Sequence, residues 1–433
     1  NLDTDNRKEW IPEKIREKLR RKDLKITTWR VVKESIDARE KDKICRVYVV
    51  EFETPELLDL ELAIDSQYQL PTVPVTPAFN HPPVIIGFGP CGIFAAFVLA
   101  TLGCNPIVLE RGKEINERDM DVDKFWKEGV LDPESNVQFG EGGAGAYSDG
   151  KLTTGTNDLR NRYVLERLVE AGADPEILYK KKPHVGTDVL KTVVANLRAQ
   201  IISMGGTVRF QTKATDIFIE NGKATGLATN KNEVIHTENV ILAIGHSARD
   251  TFRMLQMKGV PMAPKPFSMG VRIEHPQEMI DAAQYGDGKL ASVLGPAEYK
   301  LVHHCKNGRG LYSFCMCPGG HVITAASEQG GVVVNGMSFH ARDGRYANSG
   351  ILTDVRVEDY YHGDPLDGME FQRKVERAAF SVNGYENCPP TATWGRPAWR
   401  CGGGSGCLAA GGAWCGTPRP AGCCTQETRS GQR

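Results

Sequence analysis

Residues 84–110 read VIIGFGPCGIFAAFVLATLGCNPIVLE, and the parsing of this stretch decides the fold. Its part from 84 to 104 is almost wholly apolar over a length that would span a bilayer. Gly87, Gly89, Pro90 and Gly92 would break a lipid-exposed helix near its start, whereas a strand at 84–86, a tight turn and a buried helix at 93–102 use every one of them. A second strand at 106–110 completes a βαβ unit, so no transmembrane segment is expected. Gly87 permits the tight turn, Gly89 lets a pyrophosphate approach the backbone, and Gly92 lets helix and strand pack closely. The turn, continued through Pro90 and Cys91, offers phosphate the positive end of a helix dipole. Glu110 closes the second strand and is placed to accept from both hydroxyls of an adenosine ribose. That requires an unphosphorylated 2′ position and favours FAD or NAD over NADP.

Two other hexamers share the glycine spacing. Residues 140–145 lead into Tyr147, Ser148, Asp149 and Gly150, which cannot start an apolar helix, and residues 404–409 have no strand before them. One dinucleotide fold remains, which disfavours a reductase with separate NAD and FAD domains.

Working outward, residues 1–70 read as a small α+β module, with a helix at 13–21 and strands at 25–33 and 44–52. Pro71, Pro74, Pro77, Pro82 and Pro83 make 71–83 an extended linker. Residues 84–264 form the Rossmann-like domain, with helices at 160–170 and 189–204, strands at 207–210, 214–220 and 240–244, and a hairpin turn at Asn221-Gly222. Residues 265–385 alternate short apolar and polar runs and read as a β-rich substrate domain. From 386 to 433 Gly, Ala, Arg, Cys and Pro dominate, and this atypical tail is expected to be disordered.

The chain has 433 residues and a formal net charge of −1. The length suits two or three domains, and the charge gives no reason to expect nucleic acid or an anionic membrane as partner. A small-molecule substrate is expected. Of the 12 cysteines, those outside the tail follow no disulfide framework and read as reduced thiols of an intracellular protein. Asn1 in place of Met, with no apolar signal core after it, reads as a fragment or processed form.

The runs 84–112, 139–152 (FGEGGAGAYSDGKL), 240–250 (VILAIGHSARD), 270–276 (GVRIEHP) and 311–320 (LYSFCMCPGG) together resemble the FAD-dependent dehydrogenase family of bacteria and plastids, over about residues 25–385. The resemblance implies an α/β fold: a Rossmann-like, glutathione-reductase-like FAD-binding domain with an inserted β-rich substrate domain. It implies FAD as cofactor, NAD(P)H as a candidate external electron donor, and a cytoplasmic location if bacterial or a plastid one if from a plant or alga. By the same resemblance Gly87, Gly89, Pro90, Cys91 and Gly92 hold the pyrophosphate, Glu110 the ribose, and Arg111 flanks the adenine. The loop Gly142, Gly143, Gly145 and Ser148 comes near the pyrophosphate or flavin ring, where successive glycines form an anion-binding nest, and Gly245 approaches the cofactor. Family members end in another glycine-rich segment that returns to the flavin. Here the sequence after Cys388 takes a different character, as from a changed reading frame. Rival readings are therefore an FAD-binding protein without turnover and an inactive truncated product.

Flavin performs redox chemistry itself, so no catalytic side chain is assigned. Arg272, Glu274, His275, Cys315, Cys317 and His340 are substrate-side candidates. Arg272 and Glu274, alternating on one strand face, fit a salt-bridged surface as well as a substrate clamp, and Arg249 fits a helix cap. His303, His304, Cys305, Cys315 and Cys317 do not have a usual zinc spacing, and no metal is expected.

Overall fold

In the computed structural model, which describes residues 8–59, 68–70, 79–286, 290–382 and 407–411, the chain opens with α1 (Ile11–Leu19) and an antiparallel hairpin of β1 (Thr28–Asp37) and β2 (Cys45–Glu53). The Glu34 N–H donates to the Tyr179 carbonyl at 2.8 Å and the Glu34 carbonyl accepts from the Lys181 N–H at 2.9 Å. These bonds tie the hairpin to later chain. Most of the expected proline-rich linker, 71–78, lies outside the described residues.

The dinucleotide unit runs through β3 (Val84–Ile86), α2 (Pro90–Thr101), β4 (Ile107–Leu109), α3 (Ile115–Glu128), α4 (Leu159–Glu170), α5 (Thr187–Ser203) and β5 (Thr207–Arg209). Then come β6 (Ala214–Glu220), β7 (Lys223–Thr229), β8 (Val234–His236), β9 (Val240–Leu242) and α6 (Arg249–Met257). The strands β5-β4-β3-β9 form a parallel sheet in that order, and β6-β7-β8 form an antiparallel one. Strand periodicity of two sorts the side chains. Ile85 and Val108 face α2 and α5, in a core with Ile93, Ala96, Phe97, Val193, Leu197 and Ile201. Val84, Ile86 and Leu109 face the opposite way, onto Ile217, Leu227, Met254 and Leu255. Burial on both faces is why β3 and β4 read as unbroken apolar runs, each buried aliphatic side chain contributing about 1.5–3 kcal/mol. Asn221 and Gly222 both take left-handed φ, +51° and +75°, as a two-residue hairpin turn requires. The apolar stretch thus resolves into strand, turn and a 12-residue helix. No helix among the described residues is long and apolar enough to cross a membrane.

The second half comprises β10 (Phe267–Pro276), α7 (Gln277–Tyr285), α8 (Ala291–Leu294), β11 (Val302–His304), β12 (Gly310–Cys317), β13 (His321–Thr324), β14 (Val334–Met337), β15 (Tyr346–Val355), α9 (Asp367–Val382) and β16 (Cys407–Gly411). Strands β11-β12-β15-β10-β16 make one antiparallel sheet, and β13-β14 a separate ladder. Among the described residues these strands follow β9 and α6 rather than interrupting the parallel sheet, so the expected insertion is not seen there. Of the atypical tail, 386–406 and 412–433 lie outside the described residues. Residues Cys407–Gly411 pair with β10, and for them the expected lack of regular structure does not hold.

Candidate functional site

A cleft of about 890 Å³ opens where β3 and β4 end, the place where open parallel sheets bind ligands. Its floor is built by glycines with different duties. Gly87 has φ +103°, and a Cβ there would lie 2.4 Å from the Ala243 carbonyl oxygen. A Cβ on Gly92 would lie 1.9 Å from the Gly87 oxygen, which is how α2 comes to sit so closely on β3. Gly89 differs: the nearest atom to its Cβ position is Gly143 Cα at 3.7 Å, so its surface is open to the cleft. Pro90 occupies the first turn of α2, where a missing N–H costs nothing, and Cys91 beside it is exposed.

Glu110 is 4% exposed and binds the site together. Its Oε2 accepts from the Phe88 N–H at 2.8 Å, while Oε1 accepts from the Gly112 and Gly140 N–H groups, each at 2.9 Å. Three of roughly four acceptor directions on a carboxylate are thereby used. The residue expected to take both ribose hydroxyls has one direction left, on Oε2, and joins three loops with the others.

Arg118 on α3 performs the reciprocal task and was not anticipated from the sequence. It is wholly buried and donates to the carbonyls of Asn136 at 2.8 Å, Glu141 at 2.5 Å, Val137 at 3.0 Å and Gly143 at 2.9 Å. Burial pushes its pKa down, and four carbonyl dipoles compensate the desolvated charge. These bonds hold the glycine loop, whose Gly142 N–H donates to the Phe88 carbonyl at 2.9 Å. Gly140, Gly142 and Gly143 all have positive φ.

Nine of the twelve residues expected to bind cofactor line the cleft: Gly87, Gly89, Pro90, Cys91, Glu110, Arg111, Gly143, Gly145 and Gly245. Gly92, Gly142 and Ser148 stand behind its wall. Gly142 faces Ala146 and Val194. Ser148 Oγ donates to the Gly145 carbonyl at 2.7 Å and accepts from the Gly150 N–H at 3.0 Å, so the hydroxyl shapes its own loop.

At one end of the cleft Arg111 lies 4.2 Å over the Phe139 ring. It forms two bonds to Asp250, 2.8 and 3.0 Å, and one to Glu134 at 2.7 Å, and Lys213 also reaches Glu134 at 2.7 Å. Burial opposes both carboxylate charges, but the hydrogen bonds and charges of Arg111 and Lys213 together outweigh it and hold both pKa values below the usual range. The other end is apolar, with Leu255, Met262, Phe267, Tyr360 and Leu366. His246, after Gly245 with its φ of +67°, also lines the cleft, and its Nδ1 lies 2.8 Å from Ser247 Oγ. Desolvation, then the nearby Arg249 cation, lowers its pKa. The run 240–250 held the signal for it, a polar ring directly after the turn glycine.

Arg249 is not a cap. It is buried, with two bonds to Glu376 on α9, 2.9 and 2.7 Å, and one to Glu328 at 3.0 Å. Arg249→Met leaves the buried Glu376 carboxylate without this partner and is expected to cost about 3 kcal/mol, measured by urea denaturation. Adding Glu376→Leu should recover much of that loss. An unchanged unfolding midpoint in the single variant would show that the pair is not a stabilising contact.

None of the substrate-side candidates borders the cleft. Arg272 and Glu274 are buried, not on a salt-bridged surface. His275 Nε2 lies 2.8 Å from Tyr299 Oη, and the His340 ring stacks on His184 with centroids 5.5 Å apart. His303, His304 and Cys305 do not converge with Cys315 and Cys317. Among the described residues the group with ligand atoms close enough to share an ion is Asp174, Glu176 and His340.

Residues 266–396 match the family model described as FAD-dependent protein, C-terminal domain-like, and residues 1–53 match a domain of unknown function. A Clostridium beijerinckii protein, described as uncharacterized, is 45% identical over 393 residues, covering 89% of this chain and 74% of the relative. Among solved structures, Thermovibrio ammonificans THI4 is 19% identical over 43% of this chain and 66% of its own, with TM-score 0.28. Glycerol-3-phosphate dehydrogenase from Bacillus halodurans complexed with FAD is 10% identical over 66% and 49%, with TM-score 0.30. This chain thus spans less than two thirds of either.

Proposed function

Since the chain belongs to an FAD-dependent protein family, we propose that the cleft holds FAD and that the protein is an oxidoreductase acting on a small molecule, with NAD(P)H as external electron donor. The observation that carries this reading is the division of labour among the turn glycines. Gly87 and Gly92 are closed against backbone while Gly89 is open to the cleft, as a backbone must be where a pyrophosphate lies against it. The residues present fit the adenine-dinucleotide half of the cofactor. Gly89, Cys91 and Gly143 would flank the pyrophosphate, the unused Oε2 direction of Glu110 would accept a ribose hydroxyl, and the Arg111 end would flank the adenine. Gly245 and His246 would border the chain beyond the phosphates. Bound flavin supplies hydride or electron transfer. The side chains orient it: Arg118 and Glu110 fix the two loops against each other, and His246 presents its ring to the cleft.

Incubation of the chain with FAD, followed by desalting, is expected to leave flavin absorbance with the protein, and anaerobic NADH or NADPH is expected to bleach it. A colourless protein would overturn the cofactor assignment. A coloured one that neither nucleotide bleaches would overturn the donor.

A further inference from the structure

The Cys-x-Cys of β12 is not a regular strand pair. Pairing with β15 runs Phe314 to Gly350 and then Cys317 to Asn348, so β12 carries one extra residue, a β-bulge. Cys315 sits in it with φ +47°, a conformation that non-glycine residues seldom adopt without cause. Residues i and i+2 of a regular strand stand about 6.6 Å apart, at the far limit for a disulfide. The bulge breaks that regular spacing and turns the Cys317 thiol back onto the Cys315 carbonyl, 3.2 Å away.

The two sulfurs have unlike surroundings. Cys317 is wholly buried, with its thiol 3.2 Å from the Cys315 carbonyl. Cys315 is half-buried. The buried Arg272 guanidinium stands beside them, with Nη1 4.0 Å from Cys317 Sγ and 3.2 Å from the Cys315 carbonyl, and its further bond goes to the uncharged Asn348 amide oxygen. Lys151, in an ion pair with Asp149 at 3.2 Å, donates to the Met316 carbonyl inside the bulge. The cluster fills the space over Gly336, where a Cβ would lie 2.2 Å from Arg272 Nη1 and 2.7 Å from Cys317 Sγ. The Asn348 Nδ2 group, wholly buried, has no partner among the described residues.

We propose that Cys315 and Cys317 form a redox-active pair that reduces disulfide substrates, with Cys315 the attacking thiolate and Cys317 the resolving thiol. The Cys315 thiolate attacks one sulfur of R–S–S–R′. The Cys315–S–R bond forms as the S–S bond breaks, and R′–S⁻ leaves with the bonding electron pair. Cys317 then gives its proton to the departing R′–S⁻ and attacks the Cys315 sulfur, closing the protein disulfide and expelling R–S⁻. Two protein thiols are oxidised and one external disulfide is reduced to two thiols, with no other reactant. The electrostatics agree with these roles. The hydrogen bond from Cys317, then Arg272 and Lys151, outweigh burial and Asp149 and bring Cys315 down to about 6. The Cys315 thiolate together with burial pushes Cys317 up. A half-buried low-pKa sulfur beside a wholly buried protonated one is the asymmetry that exchange requires.

The test uses the reduced full chain and an aromatic disulfide, 5,5′-dithiobis(2-nitrobenzoate). Trypsin releases residues 310–342 as one peptide whose only cysteines are Cys315 and Cys317. After brief reaction that peptide is expected to be two hydrogens lighter and free of adduct. Cys317→Ser is expected to trap the nitrobenzoate adduct on Cys315. A peptide that keeps both thiols, or carries two stable adducts, would overturn the proposal, and this measurement needs no variant to fold.

Discussion

Gly92→Ala is expected to leave a chain that neither reaches wild-type stability nor retains FAD. The new Cβ would meet the Gly87 carbonyl oxygen at 1.9 Å and its carbon at 2.9 Å, distances that no rotamer change can relieve because both partners are backbone. Relief requires α2 to move away from the end of β3. The helix buries Ile93, Ala96, Phe97 and Ala100 against the sheet, so displacement opens the largest described core, at a cost of about 4 kcal/mol or more. Gly89→Ala is the matching control. Its Cβ finds nothing nearer than 3.7 Å, so stability should stay near wild type while FAD is lost, because the methyl occupies the cleft. Urea unfolding midpoints and flavin absorbance after desalting read the two effects separately. Equal midpoints for the two variants would mean that the glycines do not divide their work in this way.

The parallel βαβ core was legible in the sequence because each of its residues serves a local purpose. Strands of three apolar residues, a glycine turn and an alanine-rich helix are all written within 27 consecutive positions. What escaped depends on partners distant in the chain. Helix α3 was missed because Arg118 occupies a core position of its apolar face, breaking the 3.6-residue pattern. Its compensation comes from carbonyls at 136–143. Arg249 looked like a helix cap because Glu376 lies 127 residues away. The bulge that carries Cys315 leaves no mark on the alternation of β12. Ser148 and Gly142 were expected near the ligand from the family resemblance of their loop. Structure turns both inward, where the same hydrogen-bonding and conformational freedom shapes the loop itself.

Glu110 gives the second large effect, and a graded one. Glu110→Ala removes the acceptor for three backbone N–H groups, those of Phe88, Gly112 and Gly140, in a place where the side chain is 4% exposed. Each buried donor left unpaired costs about 1–3 kcal/mol, so a loss of about 3–6 kcal/mol is expected after water enters the space left by the side chain. Glu110→Gln keeps the shape but not the chemistry. If its amide oxygen faces Gly112 and Gly140, its NH₂ must face the Phe88 N–H, donor against donor. One contact is lost and the cost falls to about 1–3 kcal/mol. Both variants also lose the free Oε2 direction, so FAD affinity should fall in both, more in alanine, where the turn and the glycine loop are no longer joined. Chemical denaturation of the three apo-proteins measures the first effect, and FAD titration the second. A glutamine variant as unstable as the alanine one would mean that charge rather than hydrogen-bond count holds the loops. A stable alanine variant with weakened FAD binding would leave Glu110 a ligand residue alone.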